Sequence, residues 1–480
     1  MHFVDIIVFI GYFLAMLGVG FYFYRKNKDI EDYYVGGRGL GRWHIGLSVV
    51  ATDVGGGFSI GLGGLGFAIG IAGSWMLFTG LMGAWLSAAF LIPVISRLSE
   101  KFKFLTFPQV FEHFYGGRVA FIAGVISAVG YIGFTSSQLL AGAKLASATF
   151  PEIGLQPALI IMGFVAVIYT GIGGLKAVIY TDTIQWIILM AGMIFIGIPV
   201  SYYAVGKMDA IRSTLGPEFL SLMNVSWQQI VNWSVTIIPI WFVGMTLYQR
   251  IYASRSRKEA IKAWYIAGLF EWPVMAFMGV ALGLLSRVAF ENGMFAALGF
   301  GPGAALDPEM GLPVLLNTVL PAGLTGLMLS AYFSAILSTA DSCLMAASGN
   351  VQQDLLPAFI KTSSIPKHQL RISQVITLSI GLLAILLASA MTNVLELMLY
   401  SYAFMVSGLF VPILAALYTQ RPNKTAAAMA MIFGGLTTVT LSLINIPLPL
   451  GLDANIFGIS ASAIIYITAS YFSKHAYDRP

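Results

Sequence analysis

Charge is scarce in this 480-residue chain. Asp, Glu, Lys and Arg make up 10% of it, where soluble domains carry about 25%. A water-soluble fold must cover itself with polar groups. A chain that is 58% hydrophobic, with a mean hydropathy of +0.83, has too few of them. Soluble enzymes, disordered tails and coiled coils are excluded on that ground. Cysteine is nearly absent: Cys343 alone permits no internal disulfide and builds no metal cluster. The five histidines (His2, His44, His113, His368 and His475) show no pair at ligand spacing. The net charge of +5 is spread over short connections rather than gathered in a patch, so nucleic acid is not a partner. What the chain has in quantity is long apolar runs. It reads as an all-α polytopic membrane protein whose surroundings are the lipid bilayer.

A helix needs roughly 20 apolar residues to cross the hydrocarbon core. On that measure the sequence predicts thirteen spans: 3–24, 43–71, 72–96, 119–148, 156–175, 176–205, 231–253, 260–289, 321–349, 370–392, 394–419, 425–446 and 455–473. The first lacks the short apolar core and cleavage site of a signal peptide and reads as a retained anchor. Lys and Arg then choose the side. With the N-terminus outside and the C-terminus inside, nearly all of the 26 fall in inner connections, Arg250–Lys262 among them. Only Lys144, Lys207, Arg212 and Arg287 fall elsewhere. The outer connection 206–230 separates five spans (43–205) from five more (231–419), which suits an inverted repeat, since an odd number of spans flips the second half. Residues 1–42 supply a leading helix and inner loop, and 420–480 two trailing helices and a short tail.

Ionisable groups inside spans cost about 2.5–3.5 kcal/mol each on insertion scales and so point to function. Five acids qualify: Asp53, Asp182, Glu271, Asp341 and Glu396. Glu271, beside Trp272-Pro273, reads first as an interhelical hydrogen-bond partner, and Glu396, at the start of a span, as facing water. Asp53 precedes Gly55-Gly56-Gly57, three poor helix formers in a row. They predict an unwound stretch whose freed carbonyls line a cavity or hold an ion. The alternative is close helix packing through small residues. The following Gly61-Leu62-Gly63-Gly64-Leu65-Gly66 matches a dinucleotide fingerprint in spacing only, because no strand can precede it here.

Ala335, Ser338, Thr339 and Ser342 recur at i, i+3, i+4 and i+7 and share one helix face, with Asp341 at its border. A surface of oxygens alone is the chemistry a hard cation prefers. Asp182 lies six residues past Lys176, about 9 Å along the helix. It suits an inner ion site, or else a buried pair with Lys176.

In order along the chain, Asp32-Tyr33-Tyr34-Val35-Gly36-Gly37-Arg38-Gly39-Leu40-Gly41, Gly173-Gly174-Leu175-Lys176-Ala177-Val178-Ile179-Tyr180-Thr181-Asp182 and Leu337-Ser338-Thr339-Ala340-Asp341-Ser342 resemble the sodium/solute symporter family. The resemblance runs from Tyr33 to the last span. It implies a LeuT-type inverted repeat of five plus five helices, with one helix before and two after. It also implies Na+ as the coupling ion, held by the carbonyls of Ala51, Val54 and Ala335 and the hydroxyls of Ser338 and Thr339. Some members hold a second sodium; the matching places here are Asp182, Ser338 and Ser342, with Asp341 where such a member has serine. Asp53 is closer to the sodium/proline branch, and Val54 to Phe58 with Tyr248-Gln249-Arg250 to the choline branch. The polar set of the sugar branch is missing.

The expected function is import of a small organic solute, a zwitterion such as an amino acid or betaine, with no obligate protein partner. Asp53, Gly55, Gly56, Phe58, Trp75, Tyr131, Trp241, Met245 and Phe404 are its candidate contacts. Aromatic faces attract an ammonium, Asp53 adds a countercharge, and the glycine amides of 55–57 face a carboxylate. Rival readings are a monocarboxylate or other organic-anion symporter, a passive channel and a membrane sensor.

Overall fold

The computed structural model describes residues 3–24, 34–150, 152–173, 175–301, 305–359, 369–444 and 446–477. Its regular structure there is helical, apart from one isolated bridge between Leu40 and Ser254. Helices are what apolar runs must form, because in hydrocarbon the backbone satisfies its own hydrogen bonds. α1 (Phe3–Tyr24) leads. It is followed by α2 (Arg42–Ile69), α3 (Trp75–Leu86), α4 (Gly117–Thr149), α5 (Leu155–Gly173) and α6 (Leu175–Gly192). Beyond the 206–230 connection lie α7 (Trp227–Val243), α8 (Met245–Ala253), α9 (Arg257–Phe270) and α10 (Phe277–Glu291). Then come α11 (Pro308–Val319), α12 (Leu324–Asn350), α13 (Gln369–Ser389) and α14 (Val394–Tyr418). α15 (Lys424–Ile444) and α16 (Ala454–Tyr477) close the chain.

A helix lies over each segment expected to span, and α11 is a further one, overlapping the end of the 290–311 connection. Among the described residues nine helices are long and apolar enough to cross a membrane, or ten with the bent pair α7–α8 taken as one span. α12 is the axis of the bundle: its span is 94% buried and it packs on α1, α2, α4 and α6. Its many Ala and Ser residues let those neighbours approach closely. α15 and α16 are the periphery, 33% and 22% buried, with Leu436, Ile464 and Ile467 turned outward.

Among the described residues two helices are interrupted, at the first helix of each expected half. α2 breaks at Gly55 (φ 41°, ψ −162°), a conformation open to glycine and not to other residues. Crowding demands glycine there as well. A Cβ on Gly55 would lie 2.7 Å from Thr339 Oγ1, and one on Gly56 2.0 Å from Ile336 Cγ1, so α12 rests directly on the break. The second interruption is Gly244 (ψ 113°), where α7 and α8 meet with a 43° bend.

Charged side chains tie the ends. Asp5 Oδ1 accepts from Gly323 N at 2.6 Å and Gly326 N at 2.8 Å, docking α1 on the positive end of α12. Lys144 Nζ sits 2.5 Å from Asp307 Oδ2 and 2.6 Å from Glu309 Oε2. Glu309 in turn accepts from Val394 N and Leu395 N, both at 2.9 Å. One clamp thus joins α4, α11 and the start of α14.

Candidate functional site

The break in α2 exposes backbone groups that other helices then meet. Thr339 Oγ1 on α12 donates across to Ala51 O at 3.1 Å and along its own helix to Ala335 O at 3.2 Å. Ser338 Oγ lies 3.2 Å from the same Ala335 O. Val54, fully buried, stands one residue before the break. The structure therefore brings Ala51, Ala335, Ser338 and Thr339 together, with Val54 alongside. Every oxygen in this set is neutral. On the other side of the break Gly56 N donates to Gln138 Oε1 on α4 at 3.0 Å. That amide, expected to face a solute carboxylate, is already taken.

One turn before the break lies a charged cluster. Arg250 on α8 is completely buried, although the sequence reading places it in an inner loop; α8 continues through it to Ala253 and carries it into the core. Its Nη2 stands 2.8 Å from Thr52 Oγ1, 2.8 Å from Ser342 Oγ, 3.3 Å from Ser48 Oγ and 3.5 Å from Asp182 Oδ2. Ser48 Oγ also donates to Asp182 Oδ2 at 2.6 Å. Asp182 is thus paired with Arg250; the alternative partner, Lys176, has its side chain outside the described residues. Asp341 turns elsewhere and accepts a short hydrogen bond from Thr170 on α5.

Next to Thr52 on α2, Asp53 has Glu271 as its neighbour. Glu271 opens a π-helical segment, Glu271–Ala276, a device frequent at functional sites. The Asp53 and Glu271 carboxyl groups are electrostatic neighbours, and both residues are buried. Glu271 Oε1 and Oε2 and Asp53 Oδ2 have no hydrogen-bond partner among the described residues. Glu271 rests on Gly80 of α3 and Trp241 on Gly83, one turn further along the same face. The Trp241 Nε1 donor is likewise without a partner there. Tyr131, which bridges to α8 through Thr246 at 3.0 Å, is fully buried, as is Tyr402, edge-on to Phe134.

The remaining candidates have partners elsewhere. Trp75 donates to Leu222 O at 2.9 Å in the outer connection, Phe404 packs on Gly435 of α15, and Met245 Sδ accepts from Phe107 N at 3.1 Å. The Phe58 side chain lies outside the described residues. Glu271 and Arg250 carry more of the site than their sequence context alone indicates. Their signal was present as ionisable groups in or beside apolar helices.

Paired broken helices meeting at a cluster of oxygens, inside an all-helical membrane bundle, define an ion-coupled transporter rather than an enzyme. Residues 33–434 match the sodium:solute symporter family, and the chain belongs to it. It is a multi-pass protein of the cell membrane that couples the movement of a small organic solute to sodium. Relatives include the osmoregulated proline transporter of Bacillus subtilis, 28% identical over 98% of this chain and 95% of that one. The sodium/proline symporter of Escherichia coli is 28% identical over 90% of this chain and 87% of its own. A substrate-bound, outward-open Na+-coupled sialic acid symporter with a novel Na+ site shares the fold, with a TM-score of 0.79 over 98% of both chains at 22% identity.

Proposed function

We propose that the protein imports a small zwitterionic amino acid, with proline or a betaine as its nearest models, by alternating access. Sodium is carried as a second substrate. The oxygens of Ala51, Val54, Ala335, Ser338 and Thr339 bind it, fixing the broken α2 against α12. An all-neutral oxygen set of this kind suits a hard monovalent cation. Residues 43–205 and 231–419 form the two halves of a LeuT-type inverted repeat, flanked by one leading and two trailing helices. The thirteen crossings place the N-terminus outside. Solute and sodium each raise the other's affinity by the same factor, because both favour one conformation.

The observation that carries the substrate class is the buried Asp53–Glu271 pair with the Trp241 indole N–H one turn away. Two carboxyl groups receive an ammonium, and the unpaired indole donor receives a carboxylate. The relatives' substrate, proline, has both groups. The same pair opposes the rival anion reading, since a monocarboxylate without an ammonium would meet two acids of its own sign. Uptake into proteoliposomes under an inward sodium gradient tests this. Proline, betaine and small amino acids should compete with one another, while hexoses and lactate at equal concentration should not. Glu271→Gln should weaken zwitterion uptake at least tenfold. Competition by lactate alone would overturn the assignment.

A further inference from the structure

The second sodium implied by the family resemblance has a definite address in this chain, Asp182 with Ser338, Ser342 and residue 341. Of the donors found there, Asp182 Oδ1 is left without a hydrogen bond among the described residues, while Asp182 Oδ2, Ser338, Asp341 and Ser342 are each already engaged, which leaves too few oxygens for an added metal ion. Asp341, the member that departs from the pattern, is bonded to Thr170 on α5. Ser342 Oγ and Asp182 Oδ2 both face Arg250 Nη2, at 2.8 Å and 3.5 Å. Around that one nitrogen also stand Thr52 Oγ1 at 2.8 Å and Ser48 Oγ at 3.3 Å. Four oxygens from α2, α6 and α12 thus converge on a cationic centre in the manner of a coordination shell. The guanidinium is permanently charged, completely buried, and held further by Nε to Ser48 Oγ and Nη1 to Thr246 O, both at 3.3 Å.

We infer that Arg250 is a built-in second cation, standing between Asp182 and Ser342 in place of a second sodium, so that the chain binds a single sodium. The inference rests on the sodium site proposed above and adds to it. Thr52 adjoins Ala51 in sequence, and Ser342 lies one turn from Ser338, so the fixed charge stands beside the exchangeable one. It ties α8, after the second break, to the same helices that sodium bridges at the first. A protein that used a second sodium for this would have its assembly depend on sodium at two sites. Here one of the two charges travels with the chain.

Counting bound 22Na+ on purified protein in lipid nanodiscs, without solute, tests the inference. Wild type should bind one sodium per chain with a Hill coefficient of 1. Arg250→Ala leaves Asp182, Ser48, Thr52 and Ser342 as an open oxygen set, and should bind two. The added one should be lost again when Asp182→Asn is combined with it. Arg250→Lys keeps the tethered charge and should bind one. Asp182→Asn alone leaves the guanidinium uncompensated beside the sodium site, and should raise the half-saturating sodium concentration at least tenfold with the count still one. Two sodium ions on wild type, or unchanged sodium affinity in Asp182→Asn, would overturn the inference, and neither result needs Arg250→Ala to fold. One sodium on a monodisperse Arg250→Ala protein would overturn it as well. No sodium on wild type would overturn the sodium site itself, and this inference with it.

Discussion

At the scale of single residues, Thr339 is the point on which most depends. Its hydroxyl spans the gap between α12 and the carbonyl of Ala51, and its methyl fills the space that Gly55 leaves. Thr339→Ala removes one oxygen from a set of five and leaves the others in place. A hydrogen bond or ligand contact of this kind contributes about 0.5–1.5 kcal/mol net, and 1.4 kcal/mol is tenfold in affinity. The half-saturating sodium concentration for uptake should therefore rise about three- to tenfold, while the solute's maximal uptake rate at saturating sodium stays near wild type. Thr339→Ser keeps the oxygen and should stay within about twofold. Equal sodium dependence in all three proteins would place the ion elsewhere.

At the scale of the helices, the break in α2 is the decisive feature. The interruption of α2 is built into its backbone, since a side chain at Gly55 meets Thr339 at 2.7 Å in a φ region that other residues avoid. Holding a non-glycine residue in such a region costs about 1–3 kcal/mol. Gly55→Ala should lower the thermal midpoint of the purified protein by several degrees and abolish sodium-driven uptake. Gly18→Ala on α1, where an added Cβ meets nothing within 4 Å, should do neither. The clamp of Lys144 with Asp307 and Glu309 belongs to this scale too. It holds α11 to α4 while Glu309 satisfies the first amides of α14, so an acid and a base that composition alone would call surface residues are structural here.

For the whole molecule the decisive property is sidedness. With Cys343 replaced by serine, single cysteines at Ser256 and Phe300 should react with a membrane-impermeant maleimide from the inside and from the outside respectively. Labelling of both from one side would break the thirteen-crossing arrangement and the import direction that rests on it. Arg250 no longer counts toward the inner loops, because it is buried in the core; the asymmetry is carried by Arg255, Arg257, Lys258 and Lys262, in the same connection or just beyond it.

Composition and apolar run length alone decide the solvent of this protein and the material of its fold. Apolar runs of about 20 residues can only be helices in hydrocarbon, and three consecutive glycines beside an aspartate mark the break. The face of α12 was legible for the same reason: hydroxyls at i, i+3 and i+4 must share a side. Contacts between distant segments were not legible, because a span's periodicity says which residues share a face and not which helix that face meets. Glu271 became Asp53's partner only when the π-helical turn brought it over Gly80. Trp75 and Phe404, equally aromatic in sequence, were carried away to the outer connection and to α15. Arg250 shows the limit most directly. A basic residue at the end of an apolar run belongs to a loop by composition, and only packing among α2, α6 and α12 made it a buried cation.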